Sequence, residues 1–149
     1  MKIKVFADTI CGWCYISHSR LLKAFSNFEN ISFDVEHKPF QLNPDMPKEG
    51  ISRLDYLKSK FGSKEAAQPM YDSMLAEATK ENLKFNLDKI QVTPNTCLSH
   101  ILTKLAFTKK IGHQVLSEIY NSYFSKGKNI GDADILISIG KFQNISEKE

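Results

Sequence analysis

Asp8-Thr9-Ile10-Cys11-Gly12-Trp13-Cys14-Tyr15 is the stretch on which the fold turns. Two cysteines separated by two residues stand where a short apolar run (Ile3, Val5, Phe6) gives way to a helical pattern. A helix that starts at Cys11 points its unpaired N–H groups and positive dipole end at that sulfur, which favours the thiolate. Cys14 lies one turn further in, placed to attack a mixed disulfide formed at Cys11. The spacing therefore predicts a thiol–disulfide redox site at a strand-to-helix junction.

Outward from this pair, residues 3–8 read as a buried strand. Trp13, Ile16, Leu21, Leu22, Phe25 and Phe28 recur at helical spacing, with Ser17, His18, Arg20 and Lys23 on the polar side. Glu29-Asn30 closes that helix. Residues 31–38 alternate, Ile31, Phe33 and Val35 against Ser32, Asp34 and Glu36, and predict a second strand. Strand, helix and strand make a βαβ unit with parallel strands. Pro39, Pro44 and Pro47 then exclude a helix or a central strand, so 39–47 reads as an extended loop beside the cysteines.

Helical signals dominate from Ser52 onward. Ser52 caps a short helix that Gly62 stops, and Ser63 starts a longer one in which Pro69 forces a kink or a later start near Gln68. Thr93-Pro94 predicts a helix running to Ile111 with Gly112 closing it, followed by a helix over 113–124 and a last one capped by Asp132. Two strands beside five or six helices leave a parallel pair too small for a complete sheet.

Composition narrows the class of function. The chain has 149 residues, 42% hydrophobic and 25% charged, as expected of one globular domain. A net charge of +3 with both signs mixed gives no footprint for nucleic acid, and no window of 18 apolar residues suggests a membrane span. The first residues run directly into the predicted strand, so no secretory signal is expected. Three cysteines are not a disulfide framework, and the expected setting is a reducing cytoplasm.

The motifs resemble a known family, the DsbA-like thioredoxin proteins of the FrnE type, related to 2-hydroxychromene-2-carboxylate isomerases and kappa-class glutathione transferases. The resemblance is carried by Asp8…Cys11-Gly12-Trp13-Cys14-Tyr15-Ile16, Pro39-Phe40-Gln41-Leu42-Asn43-Pro44 and Tyr56-Leu57…Lys60-Phe61-Gly62. It continues through Asn95-Thr96…Ser99-His100 and Tyr123-Phe124…Gly127-Lys128-Asn129-Ile130-Gly131-Asp132. It implies an α/β fold, with a thioredoxin-like βαβ half over residues 1–45. A large all-helical insertion over 46–149 is expected to pack with that half as a single unit. Two departures stand out. Gly12 replaces the proline usual between the cysteines, and Lys148-Glu149 falls where the family continues into a ββα half carrying a cis-proline loop. That second half is thus expected to be missing.

Each candidate has a plainer reading beside it. A zinc site needs two more ligands, and Cys97, His18, His37, His100 and His113 include no second close pair. Trp13 reads either as an apolar contact for substrates or as simple packing. Asn95 fits a local cap, and its family counterpart lies near the cleft, which adds a substrate-contact reading. Pro39 and Phe40 read as loop packing first and cleft wall second. His18 fits a solvated helix face, Cys97 a buried small hydrophobe, and Met70 and Met74 the core.

The expected function is a protein disulfide oxidoreductase with Cys11 as nucleophile and Cys14 as resolving thiol, needing no metal or organic cofactor. Expected partners are disulfide- or thiol-bearing proteins or small thiols, and a homodimer formed through exposed strand edges. The alternatives are a glutathione-dependent isomerase or transferase and a non-catalytic remnant. The related isomerase branch commonly has serine at the first cysteine position, so two retained cysteines favour redox chemistry.

Overall fold

The computed structural model describes residues 1–28, 30–146 and 148; Glu29, Glu147 and Glu149 lie outside the described residues. The expected helix end at Glu29 therefore falls partly outside them. The architecture is mixed α/β. Strand β1 (Lys2–Ala7) alternates as its sequence does, with Ile3, Val5 and Ala7 turned inward and Lys2, Lys4 and Phe6 outward. It pairs in parallel with β2 (Asp34–Pro39), Ile3 opposite Val35, Lys4 opposite Glu36 and Val5 opposite His37. β2 starts three residues later than the sequence suggests and reaches Pro39, which was expected in the loop. A proline is tolerated at this last strand position, and the ladder still extends through the Phe40 N–H to the Ala7 carbonyl, 3.1 Å. Phe33, left outside the strand, stacks on Phe25 at 4.4 Å.

Between these strands runs α1 (Gly12–Ser26). The chain continues through β3 (Ile51–Ser52), α2 (Arg53–Phe61), α3 (Gln68–Lys80), β4 (Val92–Thr93), α4 (Cys97–Thr108), α5 (Gly112–Phe124) and α6 (Ala133–Phe142). Local signals placed several of these ends. Ser52 accepts the Asp55 N–H, Gly62 ends α2 at φ +87°, and Asp132 accepts the Asp134 N–H at the start of α6. Pro69 sits in the first turn of α3, where its missing N–H costs nothing, after a 3-10 turn at Glu65–Ala67.

The helix expected to begin at Thr93-Pro94 begins instead at Cys97. Thr93 lies in β4, pairs with Ile51 of β3, and accepts Arg53 Nη1 at 3.1 Å. The β3–β4 pairing joins residues some forty positions apart, and it outweighs the local Thr-Pro signal. Gly112 likewise opens α5 rather than closing α4.

α1 joins two hydrophobic clusters through consecutive residues. Tyr15 enters a cluster built on α5 (Val115, Leu116, Ile119, Tyr120, Tyr123) with Leu136 and Ile139 of α6. Ile16 enters a second, with Leu57 of α2 and Tyr71, Met74 and Ala78 of α3. The helix that carries the cysteines is thus seated in the helical layer through both clusters.

Candidate redox site

Cys11 is the N-cap of α1. Its backbone is extended (φ −92°, ψ 110°), and its sulfur accepts the backbone N–H of Cys14 at 3.3 Å. Thr9 and Asp8 precede it in a tight turn closed by the Cys11 N–H to the Asp8 carbonyl, 3.2 Å. The sulfur therefore stands where the first N–H groups of the helix converge, as the sequence suggests. Both cysteines are free thiols and half-buried.

This geometry separates the two thiols electrostatically. Cys11 is lowered to about 7, chiefly by a hydrogen bond from the Cys14 thiol and further by the N–H groups of Cys14 and Trp13; burial and the Asp8 charge oppose this. Cys14 is pushed far up, first because it donates to Cys11 and then by burial and the neighbouring Cys11 charge. One thiol is thus the more readily ionised near neutral pH while its neighbour holds the proton, an asymmetry suited to thiol–disulfide exchange.

The other expected contact residues scatter around this pair. Trp13 is 41% exposed and lines, with Cys14, a cavity of about 350 Å³ between α1, the strand pair and α5. Phe40 is 52% exposed in the loop after β2, and Pro39 ends that strand, also exposed. Asn95 behaves as a local tether: its Oδ1 accepts the Cys97 N–H at 2.9 Å and its Nδ2 donates to the Met46 carbonyl at 2.7 Å.

Two plain readings are corrected. His18 is buried at 8% exposure rather than solvated, because α5 packs over it and brings Ser117 Oγ to 3.0 Å from its Nε2. Cys97 is exposed rather than buried, since the helix begins at this residue and turns Ser99, His100, Thr103 and Ala106 inward instead. Met74 is in the core as expected.

The residues that sequence reasoning did not join are Asp8 and His100. Asp8, 1% exposed, accepts the Leu42 N–H at 2.7 Å and lies 3.2 Å from His100 Nε2. Both stand in the quoted motifs, but only the packing of α4 against the 8–11 turn reveals that they meet. Among the described residues no group of three or more His, Cys, Asp or Glu side chains is arranged to hold a metal ion. No helix among them is long and apolar enough to cross a membrane.

Known proteins resemble this chain in sequence or in fold. The Bacillus subtilis (strain 168) protein YwbO is 24% identical over 141 residues, covering 95% of this chain and 65% of its own. A probable DsbA oxidoreductase from Streptomyces coelicolor superposes with TM-score 0.87 at 26% identity, over 99% of this chain and 64% of that one. The cytosolic disulfide reductase DsbM from Pseudomonas aeruginosa shares the fold, with TM-score 0.68, 17% identity and coverage of 99% and 66%. The chain thus spans slightly less than two-thirds of the length of the first two relatives. The family model for the DSBA-like thioredoxin domain matches residues 2–147, nearly the whole sequence. Together with the thiol pair at the start of α1, this match establishes that the chain belongs to the DSBA-like thioredoxin domain family.

Proposed function

We propose that the chain is a thiol–disulfide oxidoreductase of the FrnE type, working in the cytoplasm on disulfide- or thiol-bearing proteins or small thiols. The observation that carries this reading is the Cys14 N–H donated to Cys11 Sγ at the helix N-cap, with the two thiols driven apart in acidity. The family membership and the disulfide reductase among the structural neighbours support it.

In the reducing direction, the Cys11 thiolate attacks one sulfur of a substrate disulfide. A Cys11–substrate S–S bond forms, the substrate S–S bond breaks, and the leaving thiolate takes up a proton. Cys14 then gives up its proton and attacks Cys11 Sγ, releasing the second substrate thiol. The substrate disulfide has become two thiols and the protein holds a Cys11–Cys14 disulfide. The oxidising direction is the same path reversed. No metal or organic group is needed in either direction.

Glutathione-dependent isomerisation or transfer is the second reading, favoured by the apolar cavity beside Trp13 and Cys14. Cys14→Ser separates the two. An oxidoreductase loses turnover and accumulates a mixed disulfide on Cys11, seen by mass spectrometry after non-reducing digestion. A Cys14→Ser protein that traps no adduct and keeps a glutathione-dependent activity overturns the oxidoreductase reading.

A further inference from the structure

Asp8 carries a carboxylate at 1% exposure, three residues before the nucleophilic thiol. A buried carboxylate needs hydrogen-bond donors, and it has two of different origin. Oδ2 takes the Leu42 N–H at 2.7 Å, and Oδ1 lies 3.2 Å from His100 Nε2 on α4. That same Nε2 is 3.2 Å from the Phe40 carbonyl. A carbonyl has no hydrogen to give, so Nε2 carries the proton and donates toward both oxygens. His100 is 5% exposed, and its Nδ1 has no hydrogen-bond partner among the described residues. The imidazole is therefore held by its Nε2 contacts.

One residue further on, Thr9 Oγ1 meets Ser99 Oγ at 2.7 Å, so α4 grips the turn before Cys11 at two consecutive positions. The Asp8 carbonyl also takes the Cys11 N–H and the Tyr120 hydroxyl at 3.4 Å. The titratable groups around the dithiol are Asp8 from the turn and Tyr120 from α5, with His18 of α1, His37 of β2 and His113 of α5 lining the cavity that Cys14 borders, and His100 of α4 set behind Asp8. Of these, the carboxylate is the one whose negative charge opposes a second negative charge on either sulfur.

We propose that Asp8 and His100 form a positioning pair, in which α4, through His100, holds the carboxylate against the dithiol and so restrains the reactivity of Cys11. The proposal rests on the redox reading of Cys11 and Cys14, and it gives the helical layer a hold on the thiol pair through one intervening carboxylate. His100 touches neither sulfur; it acts through Asp8.

The test is iodoacetamide alkylation of the full chain across pH 5–9, followed at the Cys11-containing peptide by mass spectrometry so that exposed Cys97 does not interfere. Asp8→Asn keeps the shape and removes the charge. It is expected to move the profile to lower pH, with alkylation at pH 6 faster by about threefold or more. His100→Ala is expected to change the pH 6 rate at least about twofold, and His100→Gln, which keeps an N–H, to return it toward wild type. Ser99→Ala cuts the neighbouring Thr9 link, together with the Ser99 hydroxyl's bond to the Thr96 carbonyl, but leaves Asp8 and His100 in contact, and it should leave the profile in place. If Asp8→Asn fails to fold by circular dichroism, the His100→Ala and His100→Gln comparison carries the test. An unmoved profile in the charge and imidazole variants overturns the proposal, as does an equal shift in Ser99→Ala. Absence of mixed-disulfide trapping with these shifts intact would sink the oxidoreductase reading while leaving the pair standing.

Discussion

Met74 fills the space in which a side chain at Gly12 would begin. A Cβ built on Gly12 would lie 2.2 Å from Met74 Sδ and 3.2 Å from a ring carbon of Phe85. The proline usual between the cysteines of the resembling family also carries a Cβ, so in this chain glycine and Met74 form a matched pair. Met74 is 5% exposed and packed in the α3 cluster, which limits how far it can retreat. Gly12→Ala and Gly12→Pro should each cost about 1–3 kcal/mol in urea unfolding, the usual penalty of overpacking. In a Met74→Val background the cost of Gly12→Ala should fall measurably. Equal costs in both backgrounds would refute the pairing.

Three imidazoles line the cavity under α1, and burial keeps them neutral. His18 and His37 are pushed down to about 4, foremost by burial and then by neighbouring imidazoles, and His113 is lowered by burial. Their folded values lie below the ordinary histidine value of 6.5, so the unfolded chain binds protons more readily. The stability they permit is present above 6.5 and is lost as pH falls from there toward 4. Thermal melts at pH 7 and pH 5 should show this loss. His37 stacks on Phe107 at 5.5 Å, and its Nε2 is buried with no hydrogen-bond partner among the described residues. His37→Phe should therefore be neutral or stabilising at pH 7 and should flatten the pH dependence. A steeper dependence would count against this account.

Tyr15 ties α1 to the helical layer by stacking at 4.9 Å on Tyr120 and 5.5 Å on Phe85. It is 8% exposed, so truncation leaves a cavity beneath the cysteines. Tyr15→Ala should cost about 3–5 kcal/mol, whereas Tyr15→Phe, which keeps the rings in place, should cost far less. Chemical denaturation of both variants measures the difference. Similar losses in the two would show that the hydroxyl, not the stack, matters.

How far the sequence could be read depended on the range of the interaction. The cap at Cys11, the Ser52–Gly62 boundaries, the position of Pro69 and the Asp132 cap follow from residues a few positions apart, and each was legible. Thr93 was misread because its strand partner, Ile51, lies some forty positions away. The burial of His18 depends on Ser117 of α5, and the contact between Asp8 and His100 spans 92 positions. No periodicity can register such contacts. Cys97 misled for the opposite reason: its helix starts later than the Thr-Pro signal indicates, leaving the thiol at an exposed first turn.

The double seating of α1, Tyr15 in one cluster and Ile16 in the other, also has a kinetic consequence. Breathing of the small β1–β2 pair leaves the Cys11–Cys14 spacing unchanged, because that spacing belongs to a helix wedged between α5 and α3. Amide hydrogen exchange would then divide the fold unevenly, fast in the strands and slow along α1 and α5. The dithiol rides with the slow-exchanging half, so its reactivity is insulated from motions at the sheet edge.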